Sequence, residues 1–179
     1  MVVGIRSKIF EKFDKFMVKR GRKKIIFDRD GTSEYMIRYY LWRKSDPENN
    51  KRGSNLFLHK IIRSDSDNHL HDHPWDWATF LIKGSYIEIL PTANFLKPEH
   101  ADEGELDVLG NVKHTYYMIR NRFTMRKKSA NDYHQIKLVD DRPVWSIFWH
   151  GKRTQDWGFF VNGEKVYWKT YLQERLKNG

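Results

Sequence analysis

The stretch Asn68-His69-Leu70-His71-Asp72-His73-Pro74-Trp75-Asp76-Trp77 sets three histidines at alternate positions. In an extended strand side chains alternate between faces, so His69, His71 and His73 point the same way, neighbours about 6.7 Å apart. Two adjacent imidazoles can lean onto one ion at about 2.0–2.1 Å from each nitrogen. The outer pair starts about 13 Å apart, too far for all three to share one metal easily. Coordination is one reading of this spacing; a surface strand rich in histidine is the other. A second stretch, Tyr133-His134-Gln135-Ile136-Lys137-Leu138, also alternates with period two. His134 therefore shares a face with Ile136 and Leu138 and points inward among apolar side chains. A buried neutral histidine with its hydrogen bond satisfied accounts for His134 alone. Beside another inward histidine strand in one small barrel, it reads as a third metal ligand.

Composition narrows the chemistry. The chain has 179 residues, 39% hydrophobic and 15% aromatic, enough for one domain with a real core. Segment 1–30 reads as an N-terminal helix and basic segment, and 31–179 as a β-barrel domain within the same globule. There are no cysteines, which excludes disulfides, thiolate zinc sites and cysteine nucleophiles. A metal site must then use histidine nitrogen and carboxylate oxygen, donors that suit Fe(II), Mn, Ni, Cu or Zn. No apolar run reaches the length of a membrane span, and residues 1–10 lack the features of a secretory signal. The expectation is a soluble, cytoplasmic protein. The net charge of +10 favours an anionic partner, whether phosphate, carboxylate or nucleic acid. The densest basic cluster, Lys19 to Lys24, reads as a weak nucleic-acid contact or as the solvated end of a helix stopped by Gly21.

The elements that must position these histidines follow from periodicity. Residues 7–19 read as an amphipathic helix, with Ile9, Phe13, Phe16 and Met17 at three- and four-residue intervals. From residue 33 the pattern is all-β, with strands over 34–42, 55–62, 69–73, 77–83, 86–90, 114–120, 122–127, 133–139, 144–150 and 157–161. Lys83-Gly84-Ser85-Tyr86 reads as a tight turn between paired strands, and Asp30-Gly31 and Asn162-Gly163 as further hairpin turns. Residues 91–112 read as a long acidic loop, and 170–177 as a short closing helix. Many short strands at these spacings imply a sandwich or barrel.

His71-x-His73, then Gly84 after a hydrophobic strand, then the isolated His134 on a later strand, resembles the cupin superfamily. The likeness covers roughly 56–160. The string His-Asp-His-Pro-Trp-Asp-Trp is similar to small uncharacterised cupins of phage and bacterial genomes, which implies a virus-encoded origin as one option. The resemblance implies an antiparallel β-barrel of the jelly-roll type, one divalent metal held by His71, His73 and His134, and pairing into a homodimer. One departure stands out. Seven residues before Gly84, where the family pattern has glutamate, this chain has Trp77, which cannot ligate. Asp76, one residue away, is the first candidate for the catalytic or ligating acid, should Pro74 shift the register. Glu88, on the face of Tyr86 in the next strand, is the second; each is equally readable as a solvated or ion-paired acid. His69 is placed in the outer shell or at the pocket rim. Asp72 is placed facing outward, or orienting an imidazole.

Three neutral imidazoles leave coordination positions open, the requirement for non-haem iron oxygen chemistry and equally for Lewis-acid hydrolysis or isomerisation. Arg120, Arg122 and Arg126 alternate along one stretch, and Arg38 and Tyr40 share a face on an early strand. These are the candidates for holding a small anionic or nucleotide-like substrate. Trp75, Trp77, Trp145 and Trp149 are candidate aromatic walls. The leading expectation is a metal-dependent, oxygenase-type cupin with Fe(II), Mn, Ni or Zn. The alternatives are a non-catalytic ligand-binding module, a metal-dependent isomerase or hydrolase, and a nucleic-acid-binding protein.

Overall fold

Phe10, Phe13 and Met17 recur at intervals of three and four, and that stripe docks the first helix. In the computed structural model, which describes residues 2–28, 31–42, 53–91 and 115–178, helix α1 spans Val2–Lys19. Phe10 meets Trp145 edge-on at 4.9 Å, and Phe13 lies 5.3 Å from the ring of Tyr39. Asp14, on the same stripe, accepts from the Tyr39 hydroxyl at 2.7 Å and pairs with Lys23 at 2.8 Å. Met17, the buried member of the stripe, contributes about 1.5–3 kcal/mol, and the half-buried Phe10 and Phe13 less each. The expected apolar face is thus corrected: Ile9 and Phe16 are exposed, because the face continued by Asp14 is the one that meets Tyr39 and Trp145. The helix stops at Gly21 as expected. Its N–H reaches Val18 O at 2.8 Å and the Arg22 N–H reaches Met17 O at 2.8 Å, a Schellman arrangement.

The strands that follow are β1 (Lys23–Phe27), β2 (Glu34–Tyr40), β3 (Asn55–Ile61), β4 (Trp75–Lys83), β5 (Tyr86–Pro91), β6 (Thr115–Arg120), β7 (Met125–Lys128), β8 (Gln135–Leu138), β9 (Val144–Arg153), β10 (Gly158–Val161) and β11 (Glu164–Tyr167); helix α2 (Trp168–Asn178) ends the described chain. They pair antiparallel into a six-stranded sheet, β1-β2-β3-β9-β4-β7, a three-stranded sheet, β6-β5-β8, and the hairpin β10-β11. Period-two alternation aims one face of each larger sheet at the other. Met36, Ile61, Leu81 and Val144 of the large sheet pack against Tyr86 and Leu138 of the small one.

Several expectations need correcting. Among the described residues no ladder joins the two larger sheets, so the barrel is an open sandwich rather than a closed cylinder. The turn at Gly84 shows why. It does not join paired strands but carries the chain from the large sheet to the small one. Gly84 has φ +85°, and a Cβ there would stand 2.7 Å from Val144 Cγ1, so close passage under β9 requires glycine. Residues 69–73 form no strand; only His71 makes isolated bridges. β1, read from sequence as part of the basic tail, is instead an edge strand turned onto β2 around Gly31, where the Asp28 N–H meets Ser33 O at 2.7 Å. The stretch 122–127 begins its strand only at Met125, because Phe123 adopts a left-handed φ of 70°. β11 was missed, although Asn162-Gly163 closes its hairpin as expected. His114, Asp30 and, beyond Pro91, the acidic loop over 91–112 lie outside the described residues. No described helix is long and apolar enough to cross a membrane.

Candidate metal centre

Backbone pairing, not strand alternation, gathers the histidines. His71 and His73 lie in the connection between β3 and β4. The His71 N–H donates to His134 O at 3.0 Å, and His71 O accepts from the His134 N–H at 2.9 Å. A second bridge pairs His71 with Phe159. Between the two ligand candidates, the Asp72 carboxylate is buried and pins the turn. It accepts from the Gly158 N–H at 2.7 Å, from Gln155 Nε2 at 3.0 Å, and from Lys165 Nζ. Asp72 therefore faces inward, contrary to expectation. Burial raises its pKa, and Lys165, Gly158 and Gln155 offset that only in part. Gln155 also donates to His73 O at 2.9 Å and to Ala130 O at 2.8 Å. The result is a bent segment that points two imidazoles at His134.

The three rings form a near-equilateral triangle, with centroids 5.3 Å (His71–His73), 5.0 Å (His71–His134) and 5.1 Å (His73–His134) apart. One nitrogen from each lies within 4.8 Å of the others. The Nε2 atoms of His73 and His134 stand 2.8 Å apart. Neighbouring ligands on one ion, at about 2.1 Å and a right angle, stand about 3 Å apart, so this spacing fits a shared divalent ion. Burial, then the His134 and His71 rings, hold His73 well below its ordinary pKa, which leaves its lone pair available to a metal.

Glu88 orients the third ring. It is fully buried on β5, with Oε1 3.4 Å from His134 Nδ1. Neither atom has a hydrogen-bond partner among the described residues, so each is the nearest polar group to the other. A carboxylate at Nδ1 fixes the proton there and frees Nε2 for coordination, the usual role of an acid behind a ligating histidine. Arg120 Nε donates to Glu88 Oε2 at 2.6 Å, and Arg120 Nη2 lies 2.6 Å from the same oxygen. Burial pushes the Glu88 carboxyl up, but His134 and then Arg120 outweigh it and bring the pKa to about 2. Glu88 thus stays ionised one layer behind the triad rather than in it.

The remaining candidates divide sharply. Asp76 is exposed on the outer face of β4, where Oδ1 accepts the Ala130 N–H at 2.8 Å; pairing does slip between Trp75 and Trp77, yet Asp76 stays outside. His69 turns away from the triad, and its Nδ1 meets the Tyr171 hydroxyl at 2.8 Å. Arg120 is buried against Glu88 and not available to a substrate. Arg122 is exposed in the turn before β7, 4.6 Å over the Phe123 ring. Arg126 donates to Met118 Sδ at 3.2 Å. Tyr40 packs edge-on against Phe57 at 5.2 Å. Of the tryptophans, Trp75 and Trp77 reach the interior. Trp145 lies on the outer face under α1, and Trp149 pairs beside Leu56 and Ala78, away from the cavities. Trp77 fills the space beside the triad, 5.0 Å from the His134 ring and 5.2 Å from His73. Within the basic cluster, Arg22 donates to Tyr40 O and Trp42 O at 3.0 and 3.1 Å, so part of that charge is committed to the fold.

Two cavities meet the triad. The outer one, about 460 Å³, reaches His71 and His73 past Phe27, Trp75, Trp157 and Phe159. The inner one, about 100 Å³, adds His134, Trp77, Ile136 and Phe148. Arg38 lines both, as does Met36. His59, which sequence reading passed over, lies on the inner wall; its inward place in the Asn55-Leu56-Phe57-Leu58-His59 alternation was the available signal.

No protein-family model matches this sequence, and no curated protein matches it. Among solved structures, the fold is similar to an RmlC-like cupin protein from Ralstonia eutropha, at 12% identity over 87% of this chain and 81% of that one, TM-score 0.45. It is also similar to a cupin-2 domain from Rhodospirillum rubrum, at 8% identity over 86% of this chain and 80% of that one, TM-score 0.48. A third likeness is to hydroxypropylphosphonic acid epoxidase from S. wedmorenis, at 8% identity and TM-score 0.45; it covers 73% of this chain but only 56% of the epoxidase.

Proposed function

We propose that this chain is a divalent-metal enzyme of the cupin type, of the non-haem iron oxygenase class, acting on a small anionic organic molecule. The observation that supports this reading is the convergence of His71, His73 and His134 on an inner cavity of about 100 Å³, with His71 and His73 also reached from the outer one of about 460 Å³, rather than inside a sealed core. His71, His73 and His134 would hold a ferrous ion, which would supply Lewis acidity and one-electron chemistry when bound. The chain's own residues do the rest. Glu88, with Oε1 3.4 Å from His134 Nδ1, favours a proton there, and Asp72 with Gln155 fixes the turn that aims His71 and His73. Trp77 and Phe148 exclude water from the ring faces, while Trp75, Trp157 and Phe159 shape the approach.

Elemental analysis of untagged protein tests the reading. About one iron per chain is expected in the wild type. His71→Ala should retain almost none, with an unchanged circular dichroism spectrum. A wild type that takes up no divalent metal, or a His71→Ala chain that keeps it, overturns the proposal. Zinc or nickel in place of iron, without oxygen uptake, moves the reaction class to hydrolysis or isomerisation.

A further inference from the structure

The two larger sheets part at a seam between β6 and β7, and cations line it. β6 and β7 are the last strands of their sheets, and among the described residues no ladder joins them. The turn between them is pinned to β4: the Phe123 N–H donates to Leu81 O at 2.7 Å, and the Leu81 N–H to Thr124 O at 3.0 Å. The chain therefore leaves the small sheet and enters the large one at fixed places. Arg120 stands opposite Tyr86 and Arg126 opposite Thr79, and both of those partners line the inner cavity. Lys128 stands opposite Trp77, so it shares the inward face of β7 with Arg126.

These three cations are not equally matched. Glu88 meets Arg120 through both Nε and Nη2 and neutralises it. Arg126 forms no ion pair among the described residues, and its one acceptor is Met118 Sδ at 3.2 Å. A thioether is a weak, uncharged acceptor, and Arg120 Nη1 also donates to it. Arg126 Nε is buried without a hydrogen-bond partner. Lys128 is half-buried and likewise forms no ion pair among the described residues. The buried Tyr86 phenol lies within reach of this charge: burial and then Glu88 raise its pKa, while Arg120 and Arg126 oppose them. A guanidinium drawn from water with its charge unmatched and an N–H unmet is costly. The donors it retains are of the kind that match an oxyanion, in the fixed fork that only arginine supplies.

We infer that Arg126, with Lys128 beside it, forms a site for a small oxyanion, a phosphate or carboxylate group, at the seam between β6 and β7. The site lies beyond Thr79 and Trp77, apart from the histidine triad, and does not rest on the metal reading. Arg120 is its neighbour, with its own charge already met by Glu88.

The test is calorimetry and thermal unfolding of the full chain in sodium phosphate, sodium acetate and sodium chloride at matched pH and ionic strength. Metal-free protein and protein loaded with stoichiometric Co(II) are compared. Phosphate or acetate should raise Tm saturably, beyond the effect of chloride, and by the same amount in both forms. Tighter binding of phosphate identifies a phosphoryl group as the occupant, and tighter binding of acetate a carboxylate; either outcome supports the site. Arg126→Met should weaken the preferred anion by at least about 10-fold, the loss expected of charge-assisted hydrogen bonds, and Lys128→Met by about 3- to 10-fold. Arg122→Gln, which removes an exposed charge from the turn, should leave the affinity unchanged. Should Arg126→Met fail to fold, Arg126→Gln takes its place with the same expected loss. Equal stabilisation by all three salts, undiminished affinity in the Arg126 variants, or anion binding confined to the Co(II) form overturns the inference.

Discussion

Replacing Glu88 by glutamine separates the two tasks this carboxylate performs. Its side chain is fully buried between Arg120, itself 4% exposed, and His134. Glutamine keeps the shape and removes the charge. Arg120 then holds a buried charge without its counter-ion. Removing one partner of such a pair costs about 3–5 kcal/mol, and the loss here should fall near 3 because the amide oxygen still accepts one bond. His134 loses the anionic group at Nδ1, for which a drop of about 10- to 100-fold in metal affinity is expected. The double variant Glu88→Gln/Arg120→Met removes the stranded charge as well. Stability should return to within about 1–2 kcal/mol of the wild type, since apolar replacement of a buried pair is often neutral, while metal affinity stays low. Urea unfolding of the metal-free chain measures the first quantity, and competition with a chelator the second. With the Glu88 pKa at about 2, the carboxylate itself stays ionised between pH 5 and 8, so its own titration adds no pH dependence to the stability effect there. A single variant with wild-type metal affinity, or a double variant that regains both properties together, would refute the reasoning.

Other perturbations probe the framework. Lowering the pH should destabilise the metal-free protein from about pH 6.5 downward. His59, His73 and His150 all have folded pKa values below the ordinary 6.5, so the unfolded chain binds more protons and stability is complete only above that point. Each such histidine adds a slope approaching about 1.4 kcal/mol per pH unit. His150→Phe should make the pH profile of urea unfolding shallower by about that amount; an unchanged slope counts against a neutral buried His150. Gly158→Ala should cost about 1–3 kcal/mol in thermal or urea unfolding, because the new Cβ runs into the Val166 carbonyl. Its N–H also serves Asp72, so metal affinity should drop too; a neutral substitution would mean that β10 and β11 pack more loosely than described. Lys165→Met should cost about 1–2 kcal/mol, less than a fully buried pair because the lysine side chain is 33% exposed. Loss of metal affinity with little loss of stability would assign Lys165 to the ligand turn alone.

What sequence could reveal follows from what period and spacing encode. His134 was readable because its inward direction is set by local alternation with Ile136 and Leu138. The stop at Gly21 and the turn at Asn162-Gly163 were readable because left-handed backbone is a local demand. That His71 and His73 could join His134 was readable from two inward-facing histidine stretches and from the family resemblance, but strand geometry gave no means of telling that His69 would be the one left out. The structure resolves that by giving up the strand: His71 pairs with His134 and Phe159 at once, and the bend at Asp72 is stitched by Gly158, Gln155 and Lys165, all more than 80 positions away. No local signal announces such a network. Arg120 and Arg122 were misjudged for the same reason. Two positions apart, they would share a face in one strand, but β6 ends between them, burying one against Glu88 and exposing the other.

Trp77 and Glu88 together explain why an anion is expected at this site. Where the resembled pattern has a ligating glutamate, the ring of Trp77 packs against His73 and His134, so the triad contributes no negative charge. The nearest carboxylate, Glu88, sits behind His134, and its charge is met by Arg120. On the proposed metal reading, a divalent ion on three neutral imidazoles would therefore keep its whole charge beside the inner cavity. Uncompensated charge in a space shielded from water is costly. An incoming anion would lower that cost, so with tryptophan where the resembled pattern has a ligating acid, the proposed function leaves the demand for negative charge to the substrate.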